Sequence, residues 1–386
     1  MSITANFPTI RPTLNLDFAN SRTVDPRITF TRASTATYFD HLGVMRTAAA
    51  NAARIDFDPV TLECKGLLIE EQRTNLLTWS QKFGGGGWDG GGGTATITDN
   101  STVAPDGTTT AAAITSGVFK VISATAGVTY TFSVYIKNIS GATLVMIGSD
   151  NQNAYVWFNA ETGIIGSASD GVISSRVDNV GNGWFRVSVS FTAKSTYVAS
   201  VIYAYSSPGS FFLWGAQLEE GAFPTSYIPT ADSQVTRSAD SAVMTGTNLS
   251  GWFTPAQGTF FAETGSGTAA GRIVGYNWPG AFVSMSIVPT VSSSWNGSVE
   301  LLRPGAVNGF TKPVRHAIAY STEGRAITRE GLSPTTTTTT FGVVTIVGIG
   351  SSPSGSPTNN YLNGHIRRIA YYPARLTNAQ LQALTA

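Results

Sequence analysis

The sequence predicts an all-β protein, and three observations carry that prediction. Charged residues make up only 12% of the 386 residues, and 41 glycines are present, which is typical of many short strands joined by tight turns. Apolar and polar residues alternate with a period of two, for example from Leu14 to Phe18. Turn signals such as Pro105-Asp106-Gly107 recur at short intervals, as they do in antiparallel sandwiches.

Residues 1–73 are predicted to form an N-terminal block of short strands. Alternation places Leu14, Leu16 and Phe18 on one face. A second strand is expected over Ile28–Thr31, and Asp40-His41-Leu42-Gly43 is expected to form a turn. About 70 residues of strands support only a thin core, so we expect this block to lean on its neighbours or on another copy of itself.

Residues 74–235 are predicted to form a jelly-roll β-sandwich. Short β-rich runs follow one another, separated by Gly, Asn, Asp and Ser, and this spacing indicates antiparallel strands. Strands are expected over residues 128–137, 142–148, 154–159, 184–192, 197–205 and 211–217.

Residues 241–386 are predicted to form a third module. Strands are expected over Gly258–Glu263, Arg315–Tyr320 and Phe341–Gly348. A short helix is expected after Thr377, which has Gln380 three residues on, as in a capping box. Residues 364–377, GHIRRIAYYPARLT, resemble the last strand of concanavalin A-like, laminin-G-like sandwiches.

Two longer stretches resemble bacteriophage tail-fibre, spike and head-fibre proteins. WGAQLEEGAFPTSYIPT at 214–230, followed by VTRSAD at 235–240, resembles the closing strand and exit linker of their jelly-roll modules. FTRASTATYFDHLGVMRTAAANAARIDFDPVTLECKGLLIEEQRTNLL at 30–77 resembles their N-terminal block. The resemblance implies a carbohydrate-binding-module-like jelly roll, an N-terminal block for virion attachment or oligomerisation, and a homo-oligomer, most commonly a trimer. It also implies other virion structural proteins and a host-surface glycan as partners.

Composition excludes several other partners. The net charge is +1 and the 24 basic residues are scattered, so nucleic-acid binding is not expected. No apolar run approaches about 20 residues, so membrane insertion is not expected. The N-terminus lacks the features of a signal peptide, so we expect synthesis in the host bacterial cytoplasm and assembly into the virion. The single cysteine, Cys64, is expected to be a buried, inert thiol.

Catalytic signals are weak, and we predict a non-catalytic protein. The three histidines, His41, His316 and His365, stand alone in the sequence, and none of the common hydrolase motifs occurs. Glycoside hydrolysis needs two carboxylates that face one cleft. The sequence leaves open a pair brought together in space, such as Glu263 with Glu300.

No cofactor and no metal are expected. Two groups of oxygen ligands offer a weak possibility of calcium, but such clusters more often form turns that satisfy their own backbone. The two groups are Asp56, Asp58 and Glu63, and Asp150, Asn151 and Asn153.

The eight tryptophans and thirteen tyrosines are the most suggestive feature. Sugars stack their apolar faces on aromatic rings, and an aromatic ring in a loop is harder to explain by core packing. Trp79, Trp184 and Trp214 fit strand patterns and are expected to be buried. The predicted glycan platform consists of Tyr276, Trp278 and Trp295, flanked by Asn277 and Asn296, with Trp88 in its glycine-rich loop as a second candidate.

The sequence thus favours attachment to a host-surface glycan as a virion fibre or spike protein. Two alternatives remain open at this point. The first is a structural capsid or tail decoration protein without a specific ligand, and the second is a glycan depolymerase. A weak internal echo, Thr31-Arg32-Ala33-Ser34 and Thr236-Arg237-Ser238-Ala239, is given little weight because two similar tetrapeptides arise by chance.

Overall fold

The computed structural model describes residues 7–91, 95–140, 144–204, 209–265, 271–278, 281–288, 291–295, 300–303, 313–338, 344–351 and 361–386. Between residues 271 and 303 the side chains of 273–275 alone are described. Strands account for 50% of the structure and helices for 6%. The predicted all-β class, with several sandwich sheets and a short C-terminal helix, is therefore confirmed.

The N-terminal segment begins with short strands and one helical turn. Asp17 caps this turn, because its side chain accepts a hydrogen bond from the backbone N–H of Asn20. The elements are β1 (Leu14–Asp17), α1 (Phe18–Ser21), β2 (Thr29–Thr31), β3 (Ala36–Phe39), β4 (Met45–Ala48), β5 (Ile55–Phe57), β6 (Cys64–Ile69) and β7 (Arg73–Asn75).

The middle of the chain forms the jelly-roll sandwich. Its strands are β8 (Asp89–Gly90), β9 (Ile97–Thr102), β10 (Ala111–Thr115), β11 (Gly117–Ser123), β12 (Thr129–Ser140), β13 (Val145–Ser149), β14 (Ala154–Asn159), β15 (Ile164–Ala168), β16 (Val172–Asn179), β17 (Phe185–Thr192), β18 (Tyr197–Ala204) and β19 (Ser210–Glu220). One six-stranded sheet has the order β16-β17-β12-β19-β10-β9, and the other has the order β15-β14-β13-β18-β11-β8.

Alternation explains how these two sheets pack. Along β17, Val187 and Val189 are fully buried in the core between the sheets, whereas Arg186 lies on the opposite face and reaches Ser133 of β12. All of the strands of this sandwich fall within the predicted range 74–235.

The C-terminal part contributes further strands and two helices. The elements are β20 (Val235–Arg237), β21 (Ser241–Thr245), α2 (Thr247–Ser250), β22 (Gly258–Thr264), β23 (Gly271–Trp278), β24 (Ala281–Val288), β25 (Val291–Trp295), β26 (Glu300–Arg303), β27 (Val314–Ser321), β28 (Gly324–Arg329), β29 (Thr335–Thr337), β30 (Ile346–Ile349), β31 (Gly364–Tyr372) and α3 (Asn378–Thr385).

Strands from both ends of the chain build the second sandwich. Its eight-stranded sheet has the order β29-β28-β27-β22-β31-β6-β5, and β1 also pairs with β31. Its seven-stranded sheet begins with β2 and β21 and continues through β30, β23, β24, β25 and β26. The N-terminal segment therefore contributes strands to this sandwich, so it leans on other parts of the same chain, which is one of the two expectations stated for it.

The core of the second sandwich shows why the N-terminal strands are recruited. Leu14, Leu16, Phe18, Leu67 and Ile69 are each at most 2% exposed and belong to the same hydrophobic cluster as the buried side chains of the C-terminal strands. The thin core expected for the N-terminal segment is thus completed inside the chain. Burial of these apolar faces stabilises the pairing of β1 and β6 with β31.

Smaller contacts join the N-terminal segment to the jelly roll. The hairpin β3–β4 turns at Asp40-His41-Leu42-Gly43, as predicted, with the Gly43 N–H donating to the Asp40 carbonyl at 3.0 Å. Met45 of this hairpin packs with Trp184, Trp214 and Tyr227 on the outer face of the jelly roll. The short pair β7–β20 lies in antiparallel register beside this junction.

Helix α3 ends the chain as predicted. The Thr377 side chain accepts from the Gln380 N–H, and the Gln380 side chain accepts from the Thr377 N–H, so the capping box is confirmed. Leu376 and Leu381 are buried together against the outer face of the eight-stranded sheet. In the described part of the chain, no helix is long and apolar enough to cross a membrane.

Candidate ligand-binding cleft

A buried charge network connects the N-terminal segment to the linker that follows the jelly roll. Its members are Arg32, Arg54, Glu70, Arg237 and Asp240. Arg54 lies at the centre and donates to Glu70 Oε2 at 2.8 Å and to Asp240 Oδ2 at 2.5 Å. Arg32 donates to Asp240 Oδ1 at 3.1 Å, and Arg237 Nη1 lies 3.6 Å from Glu70 Oε2. These charged groups are shielded from water, so each is stabilised only by its partners within the network.

Glu70 extends the buried charge network toward the surface. Its carboxylate accepts hydrogen bonds from the backbone N–H and the hydroxyl of Ser226, at 2.7 and 2.6 Å. Burial by itself raises the pKa of Glu70, but Arg237, Arg54 and Ser226 outweigh it and lower that pKa to about 2. Glu70 therefore stays ionised and holds residues 226–240 against β6.

The tetrapeptide echo in the sequence is explained by this network. Arg32 and Arg237, the arginines of the two tetrapeptides, bind the carboxylates of Asp240 and Glu70 respectively. The two segments also touch directly, because the Ser238 N–H donates to the Ser34 hydroxyl at 2.9 Å. The echo thus marks two chain segments that meet in space, although the sequence alone did not justify that conclusion.

An inter-sandwich cleft of about 470 Å³ opens beside the buried charge network. Its walls come from three parts of the chain: the jelly roll with its exit linker, the N-terminal segment, and the start of β31. A volume in this range is typical of small-ligand sites. Because its walls are far apart in sequence, the cleft exists only when the two sandwiches are docked.

The jelly-roll wall is built from β12, β16 and β17. Tyr135 is 1% exposed, and its ring packs edge-on against Trp214 and Tyr227 at centroid distances of 5.2 and 6.0 Å. The Arg186 guanidinium lies over the Tyr135 ring at 5.4 Å and donates to the Thr225 carbonyl at 2.7 Å. These contacts hold the aromatic ring and the cation rigidly on the outer face of the sandwich.

The opposite wall carries a hydrogen bond between Asp56 and His365. His365 Nε2 lies 2.7 Å from Asp56 Oδ2, and Lys65 Nζ lies 3.3 Å from the same oxygen. Burial raises the pKa of Asp56, but Lys65 and the hydrogen bond with His365 outweigh it and hold that pKa well below its usual range. Burial lowers the pKa of His365 against the opposing effect of Asp56. The imidazole is therefore neutral at neutral pH.

The predicted glycan platform falls on strands and not in loops. Tyr276, Asn277 and Trp278 are the last three residues of β23, and Trp295 is the last residue of β25. Their side chains, and Asn296 altogether, lie outside the described residues.

The strand register separates the backbone positions of that platform. Tyr276 is opposite Val283, whereas Trp295 is opposite Ser284. Because successive residues of a strand face opposite sides of the sheet, the positions of Tyr276 and Trp278 lie on one face and that of Trp295 on the other. The three positions therefore do not share a single face.

The second candidate, Trp88, lies in the core. It is 5% exposed, and its ring packs against Phe83 at a centroid distance of 5.0 Å. Lys120 Nζ lies 5.7 Å from the centre of the indole and donates to the Gly86 carbonyl at 2.9 Å. The glycine-rich loop is thus tied down by Lys120, and Trp88 presents no open face to a ligand.

The other tryptophans and the cysteine mostly agree with expectation. Trp184 and Trp214 are 2% and 1% exposed, whereas Trp79 is only half-buried. Cys64 is buried, and burial raises the pKa of its thiol. The buried position expected for this thiol is therefore confirmed.

The oxygen groups considered for calcium are bound to their surroundings. Asp58 Oδ1 accepts the backbone N–H groups of Val60 and Thr61, and Asn151 Oδ1 accepts that of Ala199. Each is thus a turn or loop residue that satisfies nearby backbone. Among the residues described, His, Cys, Asp and Glu side chains form no group of three or more that could hold a metal ion.

The carboxylate pair left open by the sequence is placed on two different strands, and the Glu300 side chain lies outside the described residues. Glu263 is on β22 of the eight-stranded sheet and binds Arg315 and Arg367 at 3.2 and 2.9 Å. Glu300 begins β26 at the edge of the other sheet. The two positions are on different sheets of the second sandwich.

Sequence reasoning singled out several cleft residues but not the cleft. Asp56 and Asp58 were considered for calcium and His365 was weighed among the three histidines, and all three line the cleft. Tyr135 gave no signal, because its place in a strand is typical of a core residue. A signal that could have indicated the cleft is the concentration of polar residues in the segment 54–70. The N-terminal segment of about 70 residues cannot bury so many polar side chains without another part of the chain.

No protein-family model and no curated protein matches this chain. Among solved structures, a Trypanosoma rangeli sialidase is 11% identical, with 69% of this chain and 53% of the sialidase covered and a TM-score of 0.30. Domains LG4-5 of mouse laminin α1 are 12% identical, with 69% and 88% covered and a TM-score of 0.22. The tandem CBM22 domains of Paenibacillus barcinonensis Xyn10C are 10% identical, with 79% and 100% covered and a TM-score of 0.26.

These likenesses are too distant to carry an argument about function. In one sialidase alignment this chain spans only 26% of the other protein. The fold described above rests on the strands, registers and cores of this chain itself.

Proposed function

We propose that this protein is a non-catalytic attachment protein of a bacteriophage virion, a fibre or spike component that binds host-surface glycan. The observation that carries the proposal is the inter-sandwich cleft, whose walls combine aromatic rings with hydrogen-bonding side chains. Tyr38 and Phe39 supply rings, Tyr135 supplies a hydroxyl, and Asn179 and Asn363 supply amides. This combination suits sugars, which offer apolar faces and many hydroxyls.

The virion part of the proposal rests on the resemblance of residues 30–77 and 214–240 to phage fibre proteins. The structure gives those stretches a physical role, because they contain all five members of the buried charge network. A network that fixes one module to the next suits a rigid extended particle component. We place the protein in the virion, made in the host cytoplasm, in contact with other virion structural proteins.

A homo-oligomer, most commonly a trimer in such proteins, is part of the same proposal. The physical argument for a partner was the thin core of residues 1–73. The second sandwich removes that argument, because it buries Leu14, Leu16 and Phe18 within one chain. The trimer is therefore proposed from the resemblance alone.

The ionisation of the cleft supports a non-catalytic role. Glycoside hydrolysis uses a carboxylic acid whose pKa is raised so that it carries a proton at working pH. The pKa values of Asp56, Asp58 and Glu70 are all lowered, so these three carboxyl groups are poor proton donors. A depolymerase would need a proton donor other than these three.

Glycan binding and virion labelling test the proposal. The purified full-length protein should bind intact host cells and oligosaccharides of a host-surface glycan array, and antibody against it should label the fibres or spikes of virions. Absence of binding together with labelled virions would favour a decoration protein. Release of reducing sugar from host polysaccharide would favour a depolymerase and contradict the non-catalytic role.

A further inference from the structure

The hydroxyl of Tyr135 is a hydrogen-bonding group that no described residue uses. Tyr135 lines the inter-sandwich cleft and is 1% exposed, yet no hydrogen bond reaches its hydroxyl from the described part of the chain. By contrast, the hydroxyl of Tyr227 is hydrogen-bonded to the hydroxyl of Ser80, with 2.6 Å between the two oxygens. The rings of Tyr227 and Tyr135 are neighbours, with 6.0 Å between their centroids. The Tyr135 hydroxyl oxygen is not one of the buried, unpartnered polar atoms of the described residues, so it opens into the cleft and can bond a ligand there.

The protonation of this hydroxyl suits a sugar. Burial raises the pKa of Tyr135 to about 12, so the group keeps its proton at neutral pH. A phenolic hydroxyl both donates and accepts hydrogen bonds, as the hydroxyls of a saccharide do. The ring itself is held by Trp214, Tyr227 and Arg186, so little ordering is needed on binding.

The charges of the cleft disfavour an acidic ligand. Its carboxylates are Asp56, Asp58, Glu70 and Asp178, and its cations are Lys65, Arg176 and Arg186. Glu70 is already paired with Arg54 and Arg237 of the buried charge network. With a neutral His365, the other three carboxylates balance the three cations, so the cleft has no net positive charge to attract an acidic group.

Each of the three cations already has a partner. Lys65 lies 3.3 Å from Asp56, Arg176 lies 2.6 Å from Asp178, and Arg186 donates to Thr225 and Ser133 at 2.7 and 3.0 Å. An acidic sugar, whether sialic, uronic or phosphorylated, would displace one of these partners or meet uncompensated carboxylates. Lys65 and Arg176 are each compensated by a carboxylate, whereas Arg186 contacts only neutral groups and its Nε has no hydrogen-bond partner among the described residues. Binding of acidic probes therefore tests whether Arg186 takes a counter-charge from a ligand.

We propose that the inter-sandwich cleft binds the end of a neutral oligosaccharide, with the Tyr135 hydroxyl as a hydrogen-bonding group on its wall. This inference rests on the proposed function and assigns its ligand class and its site. The ligand touches both sandwiches at once, because Tyr135 belongs to the jelly roll whereas Tyr38 and His365 belong to the second sandwich and its N-terminal segment.

Two variants of the full-length protein test the site. Tyr135→Phe removes only the hydroxyl and keeps the ring, and Val60→Trp adds bulk at a cleft position whose side chain is 49% exposed. The matched controls are Tyr130→Phe, whose hydroxyl accepts from the Thr125 N–H inside the jelly roll, and Leu42→Trp, at a position 62% exposed that does not line the cleft.

The probes are immobilised neutral oligosaccharides and their sialylated or uronic counterparts from host-surface glycans. Wild type should bind neutral probes. Tyr135→Phe should bind about three- to tenfold more weakly, the loss expected from one neutral hydrogen bond. Val60→Trp should abolish binding, and both controls should bind as wild type does.

Each contrary outcome overturns a different statement. Stronger binding of the acidic counterparts, lost in Val60→Trp, overturns the neutral ligand class. Unchanged glycan binding by both Tyr135→Phe and Val60→Trp overturns the cleft as the site but leaves glycan attachment standing. Failure of wild type to bind any probe or host cell overturns the proposed function and this inference with it.

Discussion

Replacing Asp240 by asparagine should destabilise the junction between the two sandwiches more than any exposed ion pair does. Asp240 is fully buried, and its carboxylate accepts hydrogen bonds from Arg32 at 3.1 Å, Arg54 at 2.5 Å and the Glu70 N–H at 2.9 Å. Asparagine has nearly the same shape, so Asp240→Asn changes the charge and the hydrogen-bonding pattern while leaving the packing almost unaltered.

The magnitude follows from the charges that remain. In wild type three guanidinium groups face two carboxylates, and in Asp240→Asn they face only Glu70. The NH₂ group of the new asparagine also points its hydrogen-bond donors at the N–H donors of the arginines. Removing one partner of a buried ion pair costs about 3–5 kcal/mol, because the remaining charge stays out of water. We therefore expect a loss of about 4 kcal/mol in the free energy of opening this region.

Hydrogen exchange is the appropriate assay, because a chain with two sandwiches does not unfold in one step. The amide of Glu70 reports directly, since it donates to Asp240, and the amides of β6 report the surrounding strand. Asp40→Asn is the matched control: Asp40 binds Arg46, whose side chain is 48% exposed, so we expect a loss of about 1 kcal/mol or less. Equal losses in the two variants would refute the reasoning.

Three further predictions concern pH, the core and assembly. The free energy of unfolding should fall as pH drops from 6.5 toward 3. Burial, with a smaller contribution from Arg329, lowers the pKa of His316 in the folded protein to about 3. Between these two pH values the histidine therefore binds a proton only in the unfolded chain, which stabilises the unfolded state. Below pH 4.5 Glu70, whose folded pKa is about 2, adds a second loss; unfolding in urea at several pH values measures both, and a flat profile would contradict them. Trp88→Ala should lower the free energy of opening of the jelly-roll core amides by about 3–5 kcal/mol in hydrogen exchange, as core truncations do. A change within about 0.5 kcal/mol, the size expected of a surface substitution, would show that the ring is not core. Light scattering should give a multiple of 40.6 kDa, and a monomer at every concentration would argue against the trimer.

Local patterns in the sequence predicted the jelly roll well. The strand expected over residues 154–159 is β14 with the same bounds, and that expected over 184–192 is β17 from Phe185 to Thr192. Alternation of side chains is a property of neighbouring residues, so it can be read without knowing the partner strand. The capping box at Thr377 was predictable for the same reason, since all of its atoms lie within four residues.

The aromatic residues of the C-terminal module show where such patterns mislead. Trp278 stands before Pro279-Gly280, and Trp295 before Asn296-Gly297, so turn signals indicated loops. The structure places both at the ends of strands, where pairing with β24 and β26 extends the sheet up to the turn. Sequence alone marks a turn but does not decide how far a strand runs toward it.

The sequence by itself determined that the chain is built from antiparallel strands, where most jelly-roll strands lie, and that charges are few. Tertiary structure alone decided which strands meet. Leu14 pairs with Tyr371 and Leu68 with His365. These strands from the two ends of the chain pair because their apolar faces are buried in one hydrophobic core. Pairing of this kind depends on complementary faces and on the register between segments that are far apart in sequence. The cleft forms where this pairing brings those segments together. Its walls, from Tyr38 through Tyr135 to His365, become neighbours only after the second sandwich has closed over both ends of the chain.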